Sequence, residues 1–300
     1  MSILISGTVA LDSIHTPTAI HNELLGGSAS YAGLSASMDA PVHLCSIVGR
    51  DFPEEHSTLL GGHGIDLANI EFAEGRTFRW TGRYHENMNH RETLDVSIDV
   101  LEKFAPKLTP EAAAASVVLL ANMSPDNQLA VLNQVTGKPF VIADSMDLWI
   151  NIARDGLLEV MKRVDLFVIN EDEAKMFTET SNLVTAGWRL MEMGPKHVVV
   201  KKGEHGALLF GPGRFFATPA YPLTGVADPT GAGDSFAGGL AGSIAASGKA
   251  PEFADFAAGV VRGSVLASFT CEAFGVKRIA SVTKEEAAAR MAEFRAYTTW

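Results

Sequence analysis

The sequence contains few cysteines, no long apolar run and no block of basic residues. Its only cysteines, Cys45 and Cys271, lie far apart in a chain of 300 residues, so we expect no disulfide framework and a reducing, cytoplasmic location. No apolar run approaches the roughly 20 residues that are needed to cross a bilayer. The opening stretch MSILISGTVALDSI lacks the basic region of a signal peptide and is typical of a first strand.

Positive charge is scarce, since 24 lysines and arginines face 35 aspartates and glutamates and give a net charge of −11. A chain without a basic cluster is a poor match for nucleic acid or for an anionic membrane surface. Nine histidines occur, but none has the His-x-x-x-His or His–Cys spacing of a zinc site. A small anion can still bind such a chain through local amides, lysines or a metal ion.

From about residue 110 onward, short apolar runs alternate with helical patterns. The runs cover residues 117–121, 140–143, 166–169 and 198–201. This alternation predicts a parallel sheet that is covered by helices on both faces. Because no linker, repeat or low-complexity segment interrupts it, we predict one α/β domain over residues 1–300.

Residues 76–100 depart from this pattern. Apolar and aromatic residues alternate with polar ones up to Tyr84, the stretch HENMNH predicts a turn, and RETLDVSI alternates again. A period of two indicates half-buried strands, so we expect a hairpin outside the main sheet. It is either an edge hairpin or a cover over a site.

The stretch Asp228–Leu240, DPTGAGDSFAGGL, joins a glycine-rich turn to small apolar residues. Gly231 and Gly233 let the backbone turn sharply, and the residues after them predict a buried helix. The first turn of such a helix presents unpaired N–H groups and a partial positive charge, which suit an anion. Asp234 at this point is either a helix cap or a general base beside a bound phosphate.

This motif resembles the carboxyl-terminal signature of the PfkB carbohydrate kinases, the ribokinase-like kinases. The pair Gly26-Gly27 before a helix of small residues resembles the amino-terminal signature of the same family. The resemblance covers almost the whole chain. It implies a three-layer α/β/α ribokinase-like fold with a central, mostly parallel sheet and a small β lid, formed by residues of about 12–25 and 76–100.

The resemblance also implies roles for individual residues. Asp234 would be the catalytic base, and Gly231, Ala232 and Gly233 would form the anion hole. The acceptor would be held by Asp234 together with Asp12, Gly26, Gly27, Tyr31 and Arg79. ATP would be bound by Lys201, Lys202, Gly203, Gly206, Asp228, Thr230, Gly231 and Gly233. In Asn170-Glu171-Asp172-Glu173, which resembles the family's Asn-x-x-Glu motif, Asn170 and Glu173 would hold Mg²⁺, although acidic residues there also suit a helix cap.

Two positions depart from the family pattern on the acceptor side. Tyr31 stands where the family often has an asparagine that contacts the sugar. Asp144 keeps the aspartate of the Asp-Pro-Asn-x-Arg pattern, but the Asn and the Arg are missing. Both departures put the usual furanose contacts in doubt.

The sequence therefore predicts an ATP- and Mg²⁺-dependent kinase that phosphorylates a hydroxyl of a small sugar or polyol. The alternative acceptor is a nucleoside, which is favoured by the aromatic residues Tyr31, Trp80 and Tyr84. A non-catalytic nucleotide- or sugar-binding protein is a further alternative, although a pure binder has no need of a base at Asp234. We expect no nucleic-acid or membrane partner, and a homodimer through the lid is consistent with exposed hairpin edges.

Overall fold

Strands and helices alternate along the chain in a computed structural model that describes residues 1–88 and 91–299. The strands are β1 (Ile3–Ser6), β2 (Ala10–His15), β3 (Ile20–Gly26), β4 (Val42–Gly49), β5 (Ile65–Ala73), β6 (Arg79–Tyr84), β7 (Arg91–Ser97), β8 (Val117–Leu120), β9 (Phe140–Asp144), β10 (Leu166–Asn170), β11 (His197–Lys201), β12 (Ala207–Gly211) and β13 (Arg214–Thr218). The predicted turn HENMNH includes Asn89 and His90, which lie outside the described residues.

The α-helices connect and cover these strands. They are α1 (Ser28–Ser37), α2 (Glu54–Gly62), α3 (Pro110–Ala113), α4 (Pro125–Leu132), α5 (Asp147–Ile152), α6 (Arg154–Met161), α7 (Glu171–Thr178), α8 (Leu183–Glu192), α9 (Ala232–Ala246), α10 (Phe253–Thr270), α11 (Lys277–Ser281) and α12 (Lys284–Thr298). Short 3₁₀ turns occur at Asp99–Lys103 and Gly203–His205.

A nine-stranded sheet in the order β13-β12-β11-β10-β9-β8-β1-β4-β5 forms the centre of the molecule. Its strands pair in parallel from β5 to β11, whereas β12 and β13 run antiparallel at one edge. The carboxyl ends of all the parallel strands therefore lie along one edge of the sheet. Ligands of open α/β sheets bind beyond that edge.

The centre of the sheet is buried on both faces because its strands β1, β8, β9 and β10 are almost entirely apolar. In β1, Ile3 and Ile5 pack into one hydrophobic core, and Leu4 packs into a second core on the opposite face. The same alternation recurs in β10, where Val168 and Phe167 face opposite cores. Two cores on one sheet require helices on both sides. The predicted three-layer α/β/α fold is confirmed.

A second, four-stranded sheet has the order β3-β2-β6-β7 and is separate from the main sheet. Its β2–β3 and β6–β7 pairs are antiparallel, and β2 pairs with β6 in parallel. We call it the small sheet. An ion network ties it to the main body: Asp51 accepts hydrogen bonds from the N–H and the hydroxyl of Thr77, and Arg79 Nη1 lies 2.8 Å from Asp51 Oδ2.

Helix α9 packs closely against α1 and α10 through glycines. A Cβ atom on Gly238 would lie 2.2 Å from the carbonyl oxygen of Ala32, and one on Gly263 would lie 2.5 Å from that of Phe236. Backbone atoms on neighbouring helices cannot move apart without separating the helices. Glycine at these positions therefore fixes how α9, and with it the Asp228–Leu240 motif, sits on the sheet.

Among residues 1–88 and 91–299, no helix combines the length and the apolar character that are required to cross a membrane.

The glycine packing predicts that Gly238→Ala lowers the free energy of unfolding by about 1–3 kcal/mol, the usual cost of overpacking a core. Urea denaturation measures this value. Gly61→Ala is the matched control, because nothing lies within 4 Å of a Cβ built there. Alanine in that helix should be neutral or stabilise by up to about 1 kcal/mol. Equal stability of the two variants would contradict the packing argument.

Candidate active site

Three neighbouring parallel strands end in polar side chains at the carboxyl edge of the main sheet. Asp144 ends β9, Asn170 ends β10 and Lys201 ends β11. Because β9 and β11 both pair with β10, the register brings these residues together. Lys201 Nζ donates to Asp144 Oδ2 at 2.9 Å, and the two side chains are only 16% and 5% exposed. The pair is a buried anchor at the centre of this edge.

The Asp228–Leu240 motif lies against this pair. Gly231 has a φ of +77° and caps α9, a conformation that favours glycine. Asp228 is buried and holds the turn, since its Oδ1 accepts from the N–H of Thr230 at 2.9 Å and its Oδ2 from that of Gly275 at 3.1 Å. A Cβ atom on Gly233 would lie 3.2 Å from Lys201 Nζ. The lysine ammonium therefore stands beside the first turn of α9.

The first turn of α9 contains the predicted anion hole. The N–H of Ala232 donates to the carbonyl of Pro229 at 3.2 Å, so this amide also closes the turn. The N–H of Asp234 stabilises its own carboxylate. Both amides are thus directed at local acceptors in this structure, and the positive end of a 15-residue helix remains centred on Gly231–Gly233.

Asp234 has an unusual acidity. The pKa of its carboxyl is raised to about 6, mainly by burial and then by the negative charge of Asp144, while Lys201 and Arg91 act in the opposite direction. A carboxyl with a pKa close to the operating pH suits a general base, because it is largely ionised at neutral pH and still basic enough to take a proton. The sequence predicted the residue but not this acidity.

Tyr31 lies under the turn of the motif. Its ring faces Gly231, where an added Cβ atom would lie 2.4 Å from three ring carbons. The side chain is 1% exposed, and among the described residues its hydroxyl has no hydrogen-bond partner. Burial, and then the charges of Asp12, Asp228 and Asp234, hold its pKa well above the ordinary value of a tyrosine. The hydroxyl is therefore neutral and lies close to the carboxyl groups of Asp12, Asp228 and Asp234.

Asp12 follows β1 on strand β2 and packs against the glycine pair. A Cβ atom on Gly26 would lie 1.9 Å from Asp12 Oδ2, so only glycine permits this approach. Burial raises the pKa of Asp12 to about 8; the N–H of Gly27 lowers it, and the charges of Asp228 and Asp234 raise it. The structure thus brings Asp12, Gly26, Gly27, Tyr31 and Asp234 into one cluster.

Asn170 and Glu173 form a capping box at the start of α7. Asn170 Oδ1 accepts from the N–H of Glu173 at 2.9 Å, and Glu173 Oε2 accepts from that of Asn170 at 3.0 Å. Burial raises the pKa of Glu173 to about 7, and Lys201 lowers it while Asp144 raises it. A buried carboxylate beside another carboxylate favours a cation, and Mg²⁺ prefers such oxygen ligands together with water. The donor chemistry therefore fits Mg²⁺, alongside a structural role as a cap.

Backbone hydrogen bonds hold the turn that follows β11. The N–H of Lys202 donates to the carbonyl of Gly206 at 2.7 Å, and Gly203–His205 forms a 3₁₀ turn. A Cβ atom on Gly206 would lie 2.0 Å from the carbonyl oxygen of Thr218, so the glycine is required for packing. Of the two lysines, Lys201 faces the anion site, and Lys202 lies one residue further along the turn.

Arg79 occupies a different setting from the rest of the predicted acceptor residues. Its Nε and Nη2 donate to the two carboxylate oxygens of Glu23 at 2.9 and 3.0 Å, and its Nη1 contacts Asp51. These partners hold the guanidinium within the ion network between the small sheet and the main body. A contact between Arg79 and an acceptor finds no support in this geometry.

The small sheet contacts the motif through Tyr84, one of the aromatic residues whose presence in the sequence favours a nucleoside acceptor. The hydroxyl of Tyr84, on β6, accepts from Thr230 Oγ1 at 3.1 Å. Tyr84 is 7% exposed, and burial raises its pKa to about 12. Arg91 lies directly across the hairpin from Tyr84 and was missed by sequence reasoning. Only the pairing register of β6 and β7 could have identified it, because the local sequence around it is that of an ordinary strand.

Within residues 1–88 and 91–299, no group of three or more histidine, cysteine, aspartate or glutamate side chains is arranged to hold a metal ion by itself. Any ion at Asn170 and Glu173 would thus keep ligands from water or from a bound molecule.

Comparison with known proteins gives one family match and several related chains. Residues 5–281 match the pfkB family of carbohydrate kinases. A cytidine kinase of Thermococcus kodakarensis is 30% identical over 292 residues, which are 95% of this chain and 97% of that protein.

Solved structures share the fold at lower identity. A nucleoside kinase of Burkholderia thailandensis in complex with inosine superposes with a TM-score of 0.80 at 17% identity and covers 99% of this chain and 98% of its own. A ribokinase II candidate from E. coli in complex with ATP and Mg²⁺ has a TM-score of 0.76 at 17% identity and covers 97% of this chain and 99% of its own.

The charge balance predicts that Lys201→Met raises the pKa of Asp234 above its value of about 6, because the ammonium favours the ionised carboxyl. Carbon-13 NMR titration of labelled aspartate side chains measures this value. Lys196→Met is the matched control, since Lys196 is 73% exposed and pairs with Asp165 instead. An unchanged Asp234 midpoint in Lys201→Met, with the fold intact by circular dichroism, would contradict this account of the site.

Proposed function

The chain belongs to the pfkB family of carbohydrate kinases, and we propose that it transfers the γ-phosphoryl group of ATP to a hydroxyl of a nucleoside, with Asp234 as the general base. Family membership makes it a sugar or nucleoside kinase, so the predicted family and the predicted enzyme class, a phosphotransferase with an alcohol acceptor, are confirmed. The role of Asp234 as the general base rests on one observation above all: it is a buried carboxyl with a pKa of about 6 at the positive end of α9.

Asp234 would begin the reaction by accepting the proton of the acceptor hydroxyl. The oxygen of that hydroxyl forms a bond to the γ-phosphorus while the bond from this phosphorus to the β,γ-bridging oxygen breaks. The electron pair of the broken bond stays on ADP, and Asp234 later releases the proton to water. The base is neither consumed nor reduced, which matches a carboxyl that titrates near neutral pH.

The negative charge of the transferred group would be balanced from two sides. The first turn of α9 at Gly231–Gly233 and the ammonium of Lys201 lie beside Asp234. Such fixed positive charge is most effective where burial lowers the local dielectric constant. Mg²⁺, held by Asn170 and Glu173 through its waters, would neutralise part of the triphosphate charge. ATP as donor is also the nucleotide in the E. coli structure with the same fold.

Further nucleotide contacts are proposed for the motif and for the turn after β11. Thr230 and Asp228 shape the loop that leads to α9, as their mutual hydrogen bond of 2.9 Å supports. Lys202, Gly203 and Gly206 lie beyond Lys201 on the same side of the sheet, where a phosphate or a ribose of ATP would pass. Positive φ at both glycines supports a close approach of the backbone.

The acceptor would lie between the main sheet and the small sheet. Asp12, Gly26, Gly27 and Tyr31 form one cluster with Asp234, and the buried Asp12 can exchange hydrogen bonds with hydroxyl groups of a ribose. We propose that the chain is one domain whose small sheet acts as the lid. Closure of this lid would exclude water, which otherwise competes with the acceptor for the phosphoryl group.

Within the predicted pair of acceptor classes, the nucleoside is favoured over a free sugar. The Thermococcus relative is named a cytidine kinase, and the Burkholderia structure is a nucleoside kinase with bound inosine. Tyr31 in place of the family's asparagine supports the same choice, because a different group then contacts the acceptor. Rates of ADP release with different nucleosides determine which base is preferred.

We also propose that the chain forms a homodimer and that it works in the cytoplasm. The small sheet leaves β3 and β7 as edge strands, and Ile20 and Val96 on them are 62% and 46% exposed. Such edges support a homodimer through this sheet. Both cysteines are free thiols, which supports a reducing, cytoplasmic environment.

Asp234→Asn should lower turnover by several orders of magnitude, because the amide cannot accept the proton. The measurement is ADP release with Mg·ATP against a panel of nucleosides, sugars and polyols. We expect fast, Asp234-dependent release with a nucleoside and little with free ribose. Activity of Asp234→Asn close to that of the wild type would remove the mechanism, and activity with a free sugar alone would remove the nucleoside assignment.

The pKa of Asp234 predicts the pH dependence. Since the base works only when it is ionised, kcat/KM should fall as the pH drops through about 6, rather than through the ordinary range of an aspartate near 4. Glu173, whose pKa is about 7, titrates nearby. Glu173→Gln should therefore lower the plateau and keep the limb near 6. If the limb near pH 6 disappears in Glu173→Gln, the titrating group is Glu173 and not Asp234, which would contradict this prediction.

A further inference from the structure

The hairpin of the small sheet places one arginine on the face that contacts the motif. After a bulge at Thr81/Gly82, Arg83 pairs with Glu92 and Tyr84 pairs with Arg91. Residues that lie directly opposite each other on paired strands project to the same face of the sheet, and their neighbours project to the other. The hydroxyl of Tyr84 reaches Thr230. Arg91 therefore projects toward the motif, and Arg83 projects away from it.

The guanidinium of Arg91 spans the opening between the small sheet and the main body. Its Nη2 lies 3.7 Å from Oδ1 of Asp147, the first residue of α5. Asp147 follows β9, the strand that ends in the Lys201 partner Asp144. Arg91 thus connects the hairpin of the small sheet with the carboxyl edge of the main sheet, close to the end of β9.

The positive charge of Arg91 changes the pKa of groups on three separate elements. It lowers the pKa of Asp234 on α9, of Glu173 on α7 and of Tyr84 on β6. The guanidinium therefore lies within electrostatic range of the proposed base, the proposed metal carboxylate and the tyrosine that contacts the motif. It is the second cation that influences Asp234, since Lys201 acts from the sheet and Arg91 acts from the small sheet.

The ion pair with Asp147 does not explain this position. At 3.7 Å the contact is too long for a hydrogen bond, and the two side chains are 43% and 52% exposed. Exposed pairs of this kind contribute little to stability. Among residues 1–88 and 91–299, no hydrogen bond occupies the guanidinium, and its N–H donors there are available for a ligand.

We propose that Arg91 is a catalytic residue whose guanidinium binds the oxygens of the phosphoryl group during its transfer. This inference rests on the proposed function. As the acceptor oxygen bonds to the γ-phosphorus and the bond to the bridging oxygen of ADP breaks, the proton passes to Asp234 and the guanidinium stays protonated. It only stabilises negative charge on the oxygens. Its planar fork matches a phosphate better than an ammonium does.

This assignment gives the small sheet a chemical role in addition to covering the acceptor. The anion site has Lys201 and the α9 terminus on the side of the main sheet, and Arg91 would complete it when the hairpin is in place. A nucleotide that enters without the hairpin seated would then lack one of its stabilising charges. Transfer to water would be slow in that state.

The test compares Arg91→Met, Arg91→Lys and Arg83→Met by steady-state kinetics with Mg·ATP and the accepted nucleoside. For Arg91→Met we expect kcat to fall by about 10²-fold or more, as for loss of one donor to a developing charge, with KM values within a fewfold of the wild type. Arg91→Lys should recover part of kcat. Arg83→Met should match the wild type, because its side chain lies on the opposite face. A kcat of Arg91→Met within threefold of the wild type would overturn the proposal.

A second measurement does not depend on turnover. Carbon-13 NMR titration of Asp234 in Arg91→Met should show a midpoint higher than in the wild type, whereas Arg83→Met should leave it unchanged. An unchanged midpoint in Arg91→Met would show that the guanidinium is not at the anion site and would overturn the inference. A third outcome separates the two proposals. If the wild type shows no Asp234-dependent ADP release but the Asp234 midpoint still shifts in Arg91→Met, the proposed function is wrong and the position of Arg91 at the anion site stands.

Discussion

The ion pair between Lys201 and Asp144, 2.9 Å long and buried at the carboxyl edge of the main sheet, is the constraint on which the rest of the site depends. Taking two charges out of water is costly, and their attraction offsets this cost only when the geometry is good. Two strands that flank β10 supply that geometry, since their register is fixed by backbone hydrogen bonds. The ammonium is then held next to the first turn of α9, where the chemistry is proposed.

Around that one lysine, the site carries an excess of carboxyls. Asp12, Glu173 and Asp234 all have raised pKa values, at about 8, 7 and 6, and burial is the largest cause each time. Such a cluster is not arranged for stability, because each buried acid is less stable when ionised than it would be in water. It is suited to a reaction that brings in cations and takes up a proton. A strongly acidic chain could therefore bind the proposed polyanionic nucleotide, because the local cations rather than the net charge would contact the phosphates.

The sequence predicts the parts of this arrangement that depend on local patterns. The apolar runs at 117–121, 140–143, 166–169 and 198–201 became β8, β9, β10 and β11, because period and burial are encoded within a few residues. Long-range pairing is not encoded in this way. Lys201 and Asp144 are 57 residues apart and meet only through the sheet register. The ion pairs of Arg79 likewise depend on how β2, β3 and β6 pair, and the position of Arg91 opposite Tyr84 depends on how β6 pairs with β7 after a bulge. Strand β13 was not predicted at all.

Tyr31 shows how the acceptor site and the stability of the fold are linked. Its hydroxyl is buried and has no hydrogen-bond partner within residues 1–88 and 91–299, and an unsatisfied buried hydroxyl costs about 1–3 kcal/mol. Its ring cannot withdraw, because it supports Gly231 and therefore the turn before α9. With three carboxyl groups influencing its pKa, the neutral hydroxyl is a donor surrounded by acceptors. An acceptor molecule that offers an oxygen to Tyr31 and hydroxyl groups to Asp12 would satisfy both at once. Part of the binding energy of the substrate would thus come from relieving the cost of burying this hydroxyl without a partner.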